Sequence, residues 1–125
     1  MIKELLTKDI LQFIKQNPNS VLIDVRSEDE WKNVGKPDGN KINLETYFLS
    51  IKNMKGEINQ NFFKEFENLK IDKEKEILVM CKAGGRSLFV SNLLIKEDYN
   101  CTNISDGFEG NDQNNGWKNS GLPIS

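Results

Sequence analysis

The 125-residue chain contains no histidine, and that absence removes a wide range of chemistry. A histidine-based triad, a histidine general base and a histidine-ligated metal are all excluded. Cysteine is scarce too: only Cys81 and Cys101 occur, too few for a four-cysteine zinc site or a disulfide framework. No apolar run approaches the roughly 20 residues that span a bilayer. The first residues, Met1-Ile2-Lys3-Glu4-Leu5-Leu6, lack the apolar stretch and small-residue cleavage site of a signal peptide. The expected setting is therefore the reducing cytoplasm, with both thiols free and no membrane contact. Neither sign of charge dominates, with 17 Lys and Arg against 19 Asp and Glu. The mixed run Asp72-Lys73-Glu74-Lys75-Glu76 reads as a solvated connection, and no basic stripe marks a nucleic-acid surface.

What is present is a globular composition, 37% hydrophobic and 29% charged. The length predicts one domain over residues 1–125, about 14 Å in radius of gyration. Thr7 is placed to cap a helix carrying Ile10, Leu11 and Ile14 on one face, stopped at Asn17-Pro18-Asn19. Val21 to Val25 is a short β-branched run that reads as a buried strand. Ser27 and Glu30 form a capping-box pattern that opens a short helix through Trp31. Ile42-Asn43-Leu44 fits a brief strand, and 45–56 is ambiguous. Phe62, Phe63, Phe66 and Leu69 share a helix face. Ile77 to Met80 is a second buried strand, followed by a helix from about Ser87 to Lys96. That helix is apolar nearly all round and is expected to be well buried. Cys101 to Ile104 is a weaker strand. Continuous apolar strands alternating with helices predict an α/β domain whose mostly parallel sheet is covered on both faces. Ligand sites in such sheets lie beyond the carboxyl ends of the strands, here just after Val25 and just after Met80.

The second of those places holds Cys81-Lys82-Ala83-Gly84-Gly85-Arg86-Ser87. The two glycines allow successive amides to turn inward, making a concavity that binds anions. The N-terminus of the following helix adds partial positive charge, and Lys82 and Arg86 add full charges. All four effects favour a thiolate at Cys81 over a thiol. The bland alternative is a cysteine that merely packs at a strand end. The glycines and two cations within five residues favour the reactive reading.

Cys81 to Arg86, a cysteine, four residues and an arginine, resembles the active-site loop of the rhodanese family of sulfurtransferases. Leu22-Ile23-Asp24-Val25-Arg26 with Glu30-Trp31 and Gly35 resembles the family's N-terminal signature. Ser105-Asp106-Gly107-Phe108-Glu109-Gly110, with Gly116-Trp117 and Gly121-Leu122-Pro123, resembles its C-terminal one. The three occur in the family's order over nearly the whole chain. Where that pattern often carries a histidine, this chain has Gly35-Lys36. The resemblance implies a five-stranded, mostly parallel sheet flanked by helices. It also implies transfer of a sulfane sulfur from an anionic donor such as thiosulfate to cyanide or a thiol, through a Cys81 persulfide. The amides from Lys82 to Ser87 would hold the negative sulfur, while Lys82 and Arg86 would attract the donor. No resident cofactor or metal is implied.

Two rivals stand beside this reading. Cysteine-dependent phosphatases use a similar loop with one more residue between cysteine and arginine, and a wider cradle. A noncatalytic rhodanese-like binding module would need none of Cys81, Arg86 or the glycines. Trp31 and Phe48 are candidates to dock a protein that relays sulfur. Arg26 stands near the expected rim; fixing the loop through an ion pair is favoured over substrate contact. Cys101 reads as a packing residue, with a resolving thiol as the alternative. Phe108 and Trp117 read as core anchors. Ser87 is expected to cap the helix after the loop, its hydroxyl also facing the sulfur.

Overall fold

The computed structural model describes residues 2–125. Five strands form one sheet: β1 (Lys3–Leu5), β2 (Ser20–Asp24), β3 (Glu45–Phe48), β4 (Glu76–Met80) and β5 (Asn100–Ile104). All four pairings are parallel and the order is β1-β5-β4-β2-β3. The helices are α1 (Ile10–Gln16), α2 (Glu28–Asn33), α3 (Phe62–Asn68) and α4 (Gly85–Lys96). The α/β class and the parallel sheet thus match the pattern of continuous apolar runs.

Side-chain alternation along the strands divides the core in two. Val21, Ile23, Ile77, Val79 and Cys81 point to one face, where Phe62 and Phe66 of α3 and Val90 and Leu94 of α4 cover them. Leu22, Leu78, Met80 and Ile104 point to the other, under Ile10, Phe108 and Trp117. A strand buried on both faces has no polar side, which is why β2 and β4 read as unbroken apolar runs.

Three expectations are corrected. Residues 42–44 are not a strand: Gly39–Ile42 is a 3-10 turn, and Asn43 takes the left-handed conformation at φ 61°. The strand follows in the ambiguous segment, where Thr46, Tyr47 and Phe48 suit an extended backbone. Thr7 does not cap α1; its hydroxyl donates to the buried Asp106 at 2.6 Å. Helix α4 is buried along one stripe only. Ser87, Val90, Ser91 and Leu94 face the sheet, and Leu88, Phe89 and Ile95 stay more than a third exposed. Two of the four inner positions are serines, so part of the helix's apolar surface lies on the outer side. Strand β1, with two charged residues out of three, gave no apolar signal; charged side chains of this kind suit a short edge strand.

Candidate functional site

Cys81 is the first residue after β4, so the strand itself delivers its side chain to the carboxyl edge of the sheet. The residue is only 1% exposed, and its Sγ is aimed at the loop backbone. The Gly84 N–H donates to Sγ at 3.1 Å, and Ser87 Oγ lies 3.3 Å away. Among the described residues, the amides of Lys82, Ala83, Gly85, Arg86 and Ser87 donate to no protein acceptor. Free amides over one turn at a helix start are donors available to an anion.

The two glycines have different tasks. Gly84 caps α4 at φ 106°, and a Cβ there would stand 2.5 Å from the Ser105 carbonyl oxygen. Gly85 is already helical, and a Cβ would meet nothing within 4 Å. The loop's curvature therefore rests on Gly84 alone. The C-terminal turn supports it from outside. Phe108 and Glu109 donate their N–H groups to the carbonyls of Cys81 and Lys82, at 2.8 and 3.0 Å. Gly107, at φ 58°, lies so close that a Cβ would be 2.4 Å from the Lys82 oxygen.

Both arginines are engaged. Arg86 makes a two-pronged ion pair with Glu30, Nη1 to Oε1 at 2.6 Å and Nη2 to Oε2 at 2.9 Å. This ties the first turn of α4 to α2. Burial pushes the Glu30 carboxyl up. Hydrogen bonds from Arg86 and Ser27, with the guanidinium charge, outweigh it and hold the group at about 2. The Arg86 guanidinium is raised in turn, first by its hydrogen bond to Glu30.

Arg26 is not a rim residue. It is fully buried, pairs with Asp24 at 2.9 Å, donates to the Gly35 carbonyl at 2.8 Å and lies 4.1 Å over the Phe108 ring. It therefore braces the residue whose N–H holds Cys81's carbonyl. Lys82 and Ala83 are exposed at the loop tip, and among the described residues Lys82 forms no ion pair.

Ser87 is inside α4, and Gly84 holds the cap position it was expected to fill. Its hydroxyl does face the sulfur, and it also donates to Asn103 Oδ1 at 2.5 Å. Cys101 is buried on the same sheet face, and burial pushes its thiol up to about 12. The structure pairs Trp31 with Phe48, ring centroids 5.4 Å apart, and Lys36 lies over Phe48. In the sequence Glu30 reads as a cap and as part of the N-terminal signature but not as a strut to Arg86, and Asn103 has only a place in the last strand. The available signal for Asn103 was a strand carrying an amide among apolar residues, a type depleted in strands.

The comparisons agree with this geometry. The family model for the STR4 middle domain matches residues 5–125. The chain belongs to the STR4 middle domain family. Uncharacterized protein RP600 of Rickettsia prowazekii is 41% identical over 109 residues, covering 86% of this chain and 84% of that protein. Rv0390 from M. tuberculosis superposes with TM-score 0.85 at 28% identity, over 98% of this chain and 96% of that one. A polysulfide-sulfur transferase homodimer from Wolinella succinogenes gives TM-score 0.72 at 26% identity, over 99% and 78%. A rhodanese-like domain protein from Staphylococcus aureus shares the fold, at TM-score 0.62 and 16% identity over 99% of each chain. The fold is rhodanese-like.

Two outcomes follow from the site's construction. Gly84→Ala should cost about 2 kcal/mol or more in urea unfolding, while Gly85→Ala should be neutral to about 1 kcal/mol stabilising. Equal costs would contradict the assignment of the turn to Gly84. The second concerns Glu30, whose folded value lies below its ordinary 4.5. The pair's contribution is then present above that pH and is lost as pH falls from there toward 2. Compared with Glu30→Gln, the native chain should lose about 1 to 2 kcal/mol across that window, after allowance for solvent screening. A difference that stays constant with pH would contradict the pairing.

Proposed function

We propose that the protein is a sulfurtransferase that carries a sulfane sulfur on Cys81. The observation behind this reading is the aim of Sγ into the Gly84 N–H, beneath a turn whose other amides are unoccupied. A persulfide is larger than a thiolate by one atom and carries its negative charge on the outer sulfur. Fixed amide dipoles stabilise such a charge without reorganising. The family membership and the sulfur-transferase structure among the neighbours support the same assignment.

The reaction divides into two displacements. In the first, the Cys81 thiolate attacks the outer sulfur of a donor such as thiosulfate. The new S–S bond forms as the donor's own S–S bond breaks, and sulfite leaves with the electron pair. In the second, cyanide or a thiolate attacks the outer sulfur of the persulfide. The Cys81 S–S bond breaks, and the cysteine recovers its electron pair as thiolate. Arg86 serves here through its strut to Glu30, which keeps the first turn of α4 in place, and Lys82 supplies a positive charge at the loop tip that makes no ion pair among the described residues. A protein that delivers or accepts the sulfur would meet this exposed tip, Lys82 and Ala83.

Treatment with thiosulfate should raise the intact mass by one sulfur atom, localised to the Cys81 peptide, and dithiothreitol should reverse it. An unchanged mass, or a sulfur found on Cys101, would overturn the proposal.

A further inference from the structure

Cys81 Sγ stands at one end of a line of hydrogen bonds that reaches the sheet edge. Ser87 Oγ, 3.3 Å from the sulfur, donates to Asn103 Oδ1 at 2.5 Å. Asn103 Nδ2 donates to Glu4 Oε1 at 2.8 Å and to the Gly84 carbonyl at 3.2 Å. Asn103 is buried on β5, and its register partner on the exposed edge strand β1 is Glu4.

The direction of every bond in this line is fixed. A carboxylate and a carbonyl only accept, so both must face the NH₂ end of the Asn103 amide. The Oδ1 end then faces Ser87, which spends its one hydroxyl proton there. What Ser87 turns to the sulfur is a lone pair. That arrangement accepts an S–H bond from Cys81 and opposes a negative sulfur. The line is not a proton wire either: an amide cannot take a proton from Ser87 and pass it to Glu4.

We infer that Glu4 and Asn103 are positioning residues that set the direction of the Ser87 hydroxyl, holding Cys81 as a thiol until that hydroxyl rotates toward the sulfur. The inference deepens the proposed function, because the persulfide is an anion to which Ser87 would turn. When it turns, Asn103 Oδ1 gives up its donor. The Gly84 N–H donates to the sulfur in both states, and Arg86, the nearest arginine in the loop, is already committed to Glu30.

The test is the rate at which iodoacetamide alkylates Cys81 in the full chain near neutral pH, followed by peptide mass and needing no sulfur donor. Glu4→Ala removes a surface side chain, so the fold is kept while the Asn103 amide loses the closer of the two acceptors that orient it and is held only by the Gly84 carbonyl at 3.2 Å. Alkylation should then speed up about three- to tenfold, the scale of one hydrogen bond to a charged group. Glu4→Gln keeps an acceptor for Asn103 but no charge, and should alkylate at the native rate. Ser87→Ala in the Glu4→Ala background should cancel the gain. No change in Glu4→Ala, an equal gain in Glu4→Gln, a gain that survives Ser87→Ala, or a thiol alkylated in none of the variants would each overturn the inference. Persulfide mass on the native sample separates the two claims. Coupling without a persulfide removes the sulfurtransferase reading alone, and a persulfide without coupling removes the Ser87 switch alone.

Discussion

A backbone N–H held against a sulfur atom is an unusual contact to maintain, because a buried amide ordinarily finds an oxygen acceptor. Here the surrounding chain leaves the Gly84 amide no other choice. The Ser105 carbonyl occupies the space where a side chain on residue 84 would go, which fixes glycine and a positive φ at that position. Gly107 brings the C-terminal turn against the carbonyls of Cys81 and Lys82, and the amides of Phe108 and Glu109 bond to them. Residues more than 20 positions apart thus shape one short turn, and the sulfur's environment is a consequence of that fit.

Charge enters this site mainly as structure. Of the two arginines near the loop, Arg26 lies in the core beside Asp24, and Arg86 is locked to Glu30 by both of its terminal nitrogens. Removing one member of the buried Asp24–Arg26 pair would strand its partner away from water, a loss of about 3 to 5 kcal/mol. With both guanidiniums occupied, recognition of a negative sulfur falls to backbone dipoles, with the charge of Lys82 at the tip. A site made of amides is less sensitive to side-chain identity than one made of cations, and it adapts to an atom that arrives and departs.

Much of this was legible in the sequence, and the exceptions have physical causes. Buried parallel strands write themselves as apolar runs, so β2 and β4 and the edge at which Cys81 stands could be read directly. The capping box at Ser27 and the phenylalanine face of α3 were also plain. Strand β1 was not, because an edge strand with Lys3 and Glu4 has no reason to be apolar. The exposed face of α4 was misjudged because hydrophobicity counts side chains, whereas Ser87 and Ser91 hold two of the four inner positions. The pairing of Arg86 with Glu30 and the line from Ser87 to Glu4 join residues 56 and more than 80 positions apart, a separation local patterns do not encode.

The account stands or falls on whether Cys81 itself carries the transferred sulfur. The direct measurement is the steady-state conversion of thiosulfate and cyanide to sulfite and thiocyanate by the native chain and by Cys81→Ser. Turnover by the native chain, ping-pong in its dependence on the two substrates and absent from Cys81→Ser, is the predicted result. Turnover that survives the substitution would contradict it.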